Sequence, residues 1–232
     1  MRAFPTTRAE FSVKCVELSD SKTFMLRAVR FLFRFRAALA FQALLLISTC
    51  SAATETSIEV RAADGTLKHP LSEIPTTGAR CAVFFFYLHD CPICNAYAPE
   101  IGRICADYAG KGFTFYIVQT DAQLSADAAL KHARDYALPC PILMDGTERL
   151  ARKCGASITP QVAIVNAEGA VVYVGRIDDL YADYGKRRSE ASVHDLRDAL
   201  TAIIANKAVP VAKGVAVGCF IPFNKPESTT KH

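Results

Sequence analysis

Two cysteines two residues apart, in His89-Asp90-Cys91-Pro92-Ile93-Cys94, are the residues of this chain whose spacing most directly suggests chemistry. A Cys-x-x-Cys can exchange electrons with a disulfide, or it can supply half of a structural zinc site. Zinc needs a second closely spaced pair of ligands. Here Cys81, Cys105, Cys140, Cys154 and Cys219 are singletons, and His69, His89, His132, His194 and His232 are scattered. The spacing therefore favours redox exchange. In such a pair the exposed first thiol, Cys91, attacks a disulfide sulfur and Cys94 resolves the mixed disulfide. His89 could lower the Cys91 pKa as an imidazolium or bind copper beside the sulfurs; the alternative is a solvated loop histidine.

The flanking elements must place these thiols. Residues 82–88 form an uninterrupted apolar run rich in Phe and Val, the pattern of a strand buried on both faces. Apolar residues after Cys94 recur at helical spacing, so residues 92–110 are expected as a helix ended by Gly110 and Gly112. The sulfurs thus sit at a helix N-terminus, where partial positive charge and free N–H groups stabilise a thiolate. Strand-like segments are expected at 58–61, 67–71, 113–119, 141–144, 161–166 and 170–174, the last two as a hairpin. Helices are expected at 125–136, with Ser125 as N-cap, at 148–154 and at 192–205. Strand and helix alternate before a closing hairpin. The fold class is α/β, a central mixed sheet with helices on both faces.

The block 83–104 resembles the active-site strand, motif and first helix of the thioredoxin superfamily. Pro99, five residues past Cys94, matches the proline that kinks that helix. Downstream, Ser157-Ile158-Thr159-Pro160-Gln161-Val162 resembles the superfamily's Thr-Pro and following strand. The resemblance implies a cis Thr159–Pro160 peptide packed against the thiols, with Thr159 and Pro160 offering backbone hydrogen bonds to an extended substrate. It covers about residues 57–206 and is nearest to the redoxin, or alkyl hydroperoxide reductase/thiol-specific antioxidant, group and its extracytoplasmic thioredoxin-like members. Two positions depart from the pattern. Phe84 and Leu88 stand where peroxiredoxins carry the Pro and Thr that shape a peroxide pocket. Phe85 stands where thioredoxins bury an acid that accepts the second thiol's proton, and Asp90 replaces a Trp and could raise the Cys91 pKa. The ending Gly218-Cys219-Phe220-Ile221 resembles that of relatives with a single motif cysteine, which implies a third thiol, Cys219, able to bond Cys91 or Cys94. A buried inert thiol is the alternative. Cys105 reads as a core thiol, and Cys140 with Cys154 as either a disulfide or two unlinked cysteines.

Three regions organise the chain: a leader at 1–53, a thioredoxin-like domain at 54–206 and a tail at 207–232 carrying Cys219. Arg27, Arg30, Arg34 and Arg36 precede an uncharged apolar run at 37–49 and the small residues Ser51-Ala52-Ala53. That is the pattern of a secretory signal peptide, too short for the roughly 20 apolar residues of a transmembrane helix. Met25 is then the expected true start, and Ile47-Ser48-Thr49-Cys50 loosely resembles a lipobox whose Cys50 would carry lipid. The first 51 residues hold 8 of the 27 basic and 3 of the 23 acidic residues, which leaves the remainder nearly neutral and excludes a nucleic-acid partner. The expected protein is an exported thiol–disulfide oxidoreductase, periplasmic or secreted. Its partners would be protein thiols and disulfides and a recycling redox partner, with membrane contact only through the leader or Cys50. No metal or other cofactor is expected. The alternatives are a thioredoxin-fold metallochaperone or binding module without turnover, and a peroxiredoxin-like peroxidase.

Overall fold

The computed structural model describes residues 58–223; the leader, Met25, Cys50 and residues 224–232 of the tail lie outside them. The described chain opens with a small hairpin of β1 (Val60–Arg61) and β2 (Leu67–Lys68). It continues through β3 (Cys81–Tyr87), α1 (Pro92–Tyr108), β4 (Phe113–Gln119), α2 (Ala126–Asp135), β5 (Ile142–Met144) and α3 (Arg149–Cys154). Next come β6 (Ile158–Thr159), β7 (Gln161–Asn166), β8 (Val171–Gly175), β9 (Tyr181–Asp183) and β10 (Lys186–Arg187). The described part ends with α4 (Asp195–Ile204) and β11 (Cys219–Phe220).

The apolar run becomes the middle strand because it has no polar face to leave in water. In the five-stranded sheet, ordered β5-β4-β3-β7-β8, β3 is parallel to β4 and antiparallel to β7. Every residue of β3 is buried. Alternate side chains then serve two cores. Val83, Phe85 and Tyr87 face Ile93, Tyr97, Ile101 and Ile104 of α1 and Leu196 and Leu200 of α4. Ala82, Phe84 and Phe86 face Leu150, Ala151 and Cys154 of α3. Burying one Phe contributes about 1.5–3 kcal/mol, whereas a solvent-screened surface pair such as Lys131–Asp135 adds little. Burial on both faces of β3 therefore dominates. This is the thioredoxin-like sandwich that the resemblance implies, and no helix among the described residues is long and apolar enough to cross a membrane.

Local signals hold where they rest on a strong periodicity or a cap. Ser125 accepts the Ala128 N–H at 3.2 Å and opens α2, and Pro99 lies inside α1. The charge-rich segment 175–188 contains an ordered hairpin of β9 and β10. Two of its three acids, Asp178 and Asp179, are buried as acceptors, whereas Asp183 is exposed. Asp178 takes the Tyr97 hydroxyl at 2.5 Å and the Leu180 N–H at 2.9 Å. Asp179 takes the Ser192 N–H and hydroxyl, both at 2.6 Å, and the Val193 N–H. With Ser192 committed to Asp179, α4 begins at Asp195 rather than at 192.

Asp145, also buried, accepts the Leu150 and Ala151 N–H groups at 3.2 and 2.9 Å and so holds the first turn of α3. Asp145→Ala leaves those donors unpaired, and we expect it to lower stability by about 1–2 kcal/mol. Urea unfolding would show it as a reduced midpoint with an unchanged slope.

Candidate active site

Cys91 is the N-cap of α1, with Pro92 opening the first turn and no side chain capping it. The backbone turn is closed by Cys91 N–H donating to Leu88 O at 3.2 Å and Asn95 N–H donating to Cys91 O at 3.1 Å. The Cys91 sulfur therefore lies among the free N–H groups of the helix start. Opposite stands the Thr159–Pro160 peptide, which is cis. Cys91 Sγ lies 3.7 Å from Thr159 O, and Thr159 is itself fully buried. The motif and the Thr-Pro loop, 68 residues apart in sequence, thus meet at one sulfur.

A third strand completes the site. β11 pairs antiparallel with β6, placing Cys219 opposite Thr159 and Phe220 opposite Ile158. Thr159 Oγ1 donates to Cys219 O at 3.3 Å, and Ile221 N–H donates to Ser157 O at 3.0 Å. This register sets the Cys219 thiol 2.8 Å from Cys91 Sγ, toward which it donates. Gly218 is required by the approach. A Cβ there would stand 1.9 Å from Thr159 O and 3.1 Å from Pro160 Cδ. All three sulfurs, Cys91, Cys94 and Cys219, belong to free thiols.

The tail also changes which sulfur meets solvent. Cys91, expected to be the exposed thiol, is only 1% exposed, and Cys94 is fully buried. Cys219 is the half-exposed member of the three. The reason is tertiary: β11 closes over the Thr-Pro loop and the Cys91 sulfur beneath it.

Electrostatics separate the three thiols. Hydrogen bonding from the Cys94 thiol, then from Cys219 and from the backbone N–H groups of Cys94 and Ile93, lowers the Cys91 pKa to about 5, against the opposing effect of burial. The Cys91 pKa falls where Asp90 was expected to raise it, and the Asp90 charge contributes to raising Cys219. Burial, and the hydrogen bond given to Cys91, hold Cys94 well above the ordinary thiol value. Burial first, and the same donation to Cys91, push Cys219 up to about 12. The arrangement is one thiolate fed by two protonated thiols.

Around the thiols sit groups that the spacing alone did not mark. The Tyr87 hydroxyl donates to Asn95 Oδ1 at 2.9 Å, and His132 Nε2 meets the same oxygen at 2.9 Å. Asn95 Nδ2 donates back to His89 O at 3.1 Å, which ties the start of α1 to the residue before Asp90. His89 itself faces Asp121, with Nδ1 3.6 Å from Oδ2, and packs edge-on against His132. It is thus a partly buried neighbour of an acid rather than a solvated loop histidine. Phe85, at the position of the absent acid, is buried in the α1-side core. Cys105 is half-buried rather than a core thiol. Its sulfur lies 3.1 Å from that of Cys140, whereas Cys154 is buried in the opposite core and not joined to Cys140.

The redoxin family model matches residues 52–186, more than half of the chain. The chain belongs to the redoxin family. No curated protein matches this redoxin in sequence. Among solved structures, a hypothetical protein from Sinorhizobium meliloti 1021 is similar at 23% identity and a TM-score of 0.61, covering 73% of this chain and 92% of its own. An uncharacterised conserved protein from Geobacillus kaustophilus gives 24% identity and 0.58, covering 74% and 90%. Both share the fold of this redoxin. A secreted Mycobacterium tuberculosis disulfide oxidoreductase gives 18% identity and 0.45, covering 67% and 99%.

Two outcomes follow from this geometry. The ultraviolet absorbance of the Cys91 thiolate should appear with a midpoint near pH 5, and a midpoint near the ordinary 9.0 would count against the two thiol donors. Since the folded pKa is the lower one, the linked stability is full above the unfolded value and is lost as pH falls toward 5. Mild oxidation of the folded protein should join Cys105 to Cys140, and peptide mapping that instead found Cys140 bound to Cys154 would contradict the sulfur positions.

Proposed function

We propose that this redoxin is an exported thiol–disulfide oxidoreductase whose substrates are disulfides of other proteins. The observation that carries the reading is the Cys91 sulfur at the N-cap of α1, 2.8 Å from the Cys219 sulfur and 3.7 Å from Thr159 O of the Thr-Pro loop. The Cys91 thiolate attacks one sulfur of a substrate disulfide, forming a Cys91–substrate bond as the substrate S–S bond breaks and its other sulfur leaves as a thiolate. A second thiol, Cys94 or Cys219, loses its proton and attacks Cys91. The substrate leaves reduced by two electrons, and this chain holds the new disulfide. Thr159 and Pro160 shape the face on which the substrate sulfur arrives. An outside dithiol or disulfide partner resets the pair.

Export rests on the leader at 1–53, with its basic flank, apolar run and small-residue exit. Lipid at Cys50 would add membrane anchoring. A thioredoxin-fold module that holds a metal or a partner at the same thiols would show no turnover. A peroxidase would consume peroxide, and buried apolar Phe84 and Leu88 give that reading no polar group at their positions.

The test is reduction of a protein disulfide, such as that of insulin, by the pre-reduced chain. Wild type should reduce one disulfide per chain, Cys91→Ser should fall to the uncatalysed background, and Cys94→Ser combined with Cys219→Ser should accumulate a mixed disulfide at Cys91. Equal rates for wild type and Cys91→Ser would end the reading.

A further inference from the structure

The edge of β6 that would receive an extended substrate is already occupied by the chain's own tail. β11 lies on it antiparallel, with Cys219 at the position where an incoming cysteine would have to reach Cys91. Each tail residue reports what that edge accepts. At Gly218 there is no room for a Cβ, since one would collide with the Thr159 carbonyl at 1.9 Å. Cys219 delivers its sulfur to 2.8 Å from Cys91. Phe220 turns to solvent, 79% exposed, so its place imposes little. Ile221 is 4% exposed and packs into the α3-side core with Phe84, Phe86 and Leu150. The tail is anchored separately further back, where Val174 N–H donates to Ala212 O and Gly214 N–H to Val174 O. That anchor lies before Val215; on the far side Phe223 packs on the α3-side core under the Arg152 guanidinium, so clearing β6 means freeing residues 215–223 while the anchor holds.

We infer that the tail is a tethered stand-in for the substrate, and that the β6 edge selects extended segments of the form Gly-Cys-x-aliphatic. Any substrate segment must displace residues 218–221 to reach Cys91. Its cysteine then takes the place of Cys219, a glycine must precede that cysteine, and an aliphatic side chain fills the Ile221 site. The inference rests on the exchange chemistry proposed above and names the substrates of that same thiolate.

The test uses the full chain carrying Cys94→Ser and Cys219→Ser, so that a substrate cysteine captured by Cys91 stays there. Synthetic peptides containing Gly-Cys-Phe-Ile, Ala-Cys-Phe-Ile or Gly-Cys-Phe-Asp are activated as mixed disulfides with thionitrobenzoate. In the reaction the Cys91 thiolate bonds to the peptide sulfur, the peptide–thionitrobenzoate S–S bond breaks, and coloured thionitrobenzoate leaves as the thiolate. No net oxidation occurs. The Gly-Cys-Phe-Ile peptide should react roughly tenfold or more faster than either variant peptide. Adding Ile221→Ser, or independently Gly218→Ala, loosens the tail and should speed capture of that peptide. Mass mapping locates the adduct on Cys91.

Equal rates for the Gly-Cys and Ala-Cys peptides, or no gain from either tail substitution, would overturn the inference. Dithio-bis-nitrobenzoate, which needs no docking, separates this failure from a deeper one. If it reacts at Cys91 while the peptides are not distinguished, the exchange reading stands and the tethered stand-in falls. If neither reagent modifies Cys91, the exchange reading falls as well.

Discussion

Hydrogen-bond donors converging on one buried sulfur, Cys91, organise this site. A thiolate at Cys91 must be stabilised by donors because burial alone would neutralise it. The donors come from two separate stretches of chain: the N–H groups of Ile93 and Cys94 with the Cys94 thiol at the start of α1, and the Cys219 thiol from the tail. The sandwich around them exists to make this convergence rigid. β3, buried on both faces, fixes the turn that ends in Cys91, and α1 is pinned in turn by Tyr97 on Asp178 and by Arg197 on Glu100 and Asp107.

The three thiols divide the work by environment rather than by chemistry. They are the same functional group, yet burial and donation direction push them far apart. Cys91 accepts and is driven down, while Cys94 and Cys219 donate and are driven up. In the exchange proposed above, either neighbour would act only after Cys91 has formed a mixed disulfide, losing its proton and attacking the Cys91 sulfur as the substrate thiolate leaves. With Phe85 in place of an acid, the tail thiol supplies a donor on the side of the site opposite the helix.

The parts of the fold legible in the sequence were those set by strong local pattern. The continuous apolar run named β3, Ser125 named the start of α2, and the Thr159-Pro160-Gln161 signature led to a cis peptide facing the motif. Less legible were features in which a polar residue is spent on a distant partner. Asp178 and Asp179 look like solvent charges in a loop, but their acceptors are taken by Tyr97 and Ser192, and that commitment orders the segment after β8 and delays α4. Cys105 and Cys140 carry no mutual signal because their approach depends on how the end of α1 packs against the chain entering β5.

By itself the sequence pointed to the thiols and their frame: a Cys-x-x-Cys behind a buried strand, a Thr-Pro downstream, and a redoxin-type sandwich to unite them. The first follows from spacing and periodicity, which are properties of neighbouring residues, and the other two are what the resemblance of 83–104 and 157–162 implies. Only the tertiary structure decided that Cys91 is covered, that Cys219 rather than solvent lies against it, and that Gly218 is there because a carbonyl leaves no space for a side chain. Those facts depend on β11 meeting β6 across 60 residues of chain, a pairing that two-residue strands do not announce in any local pattern.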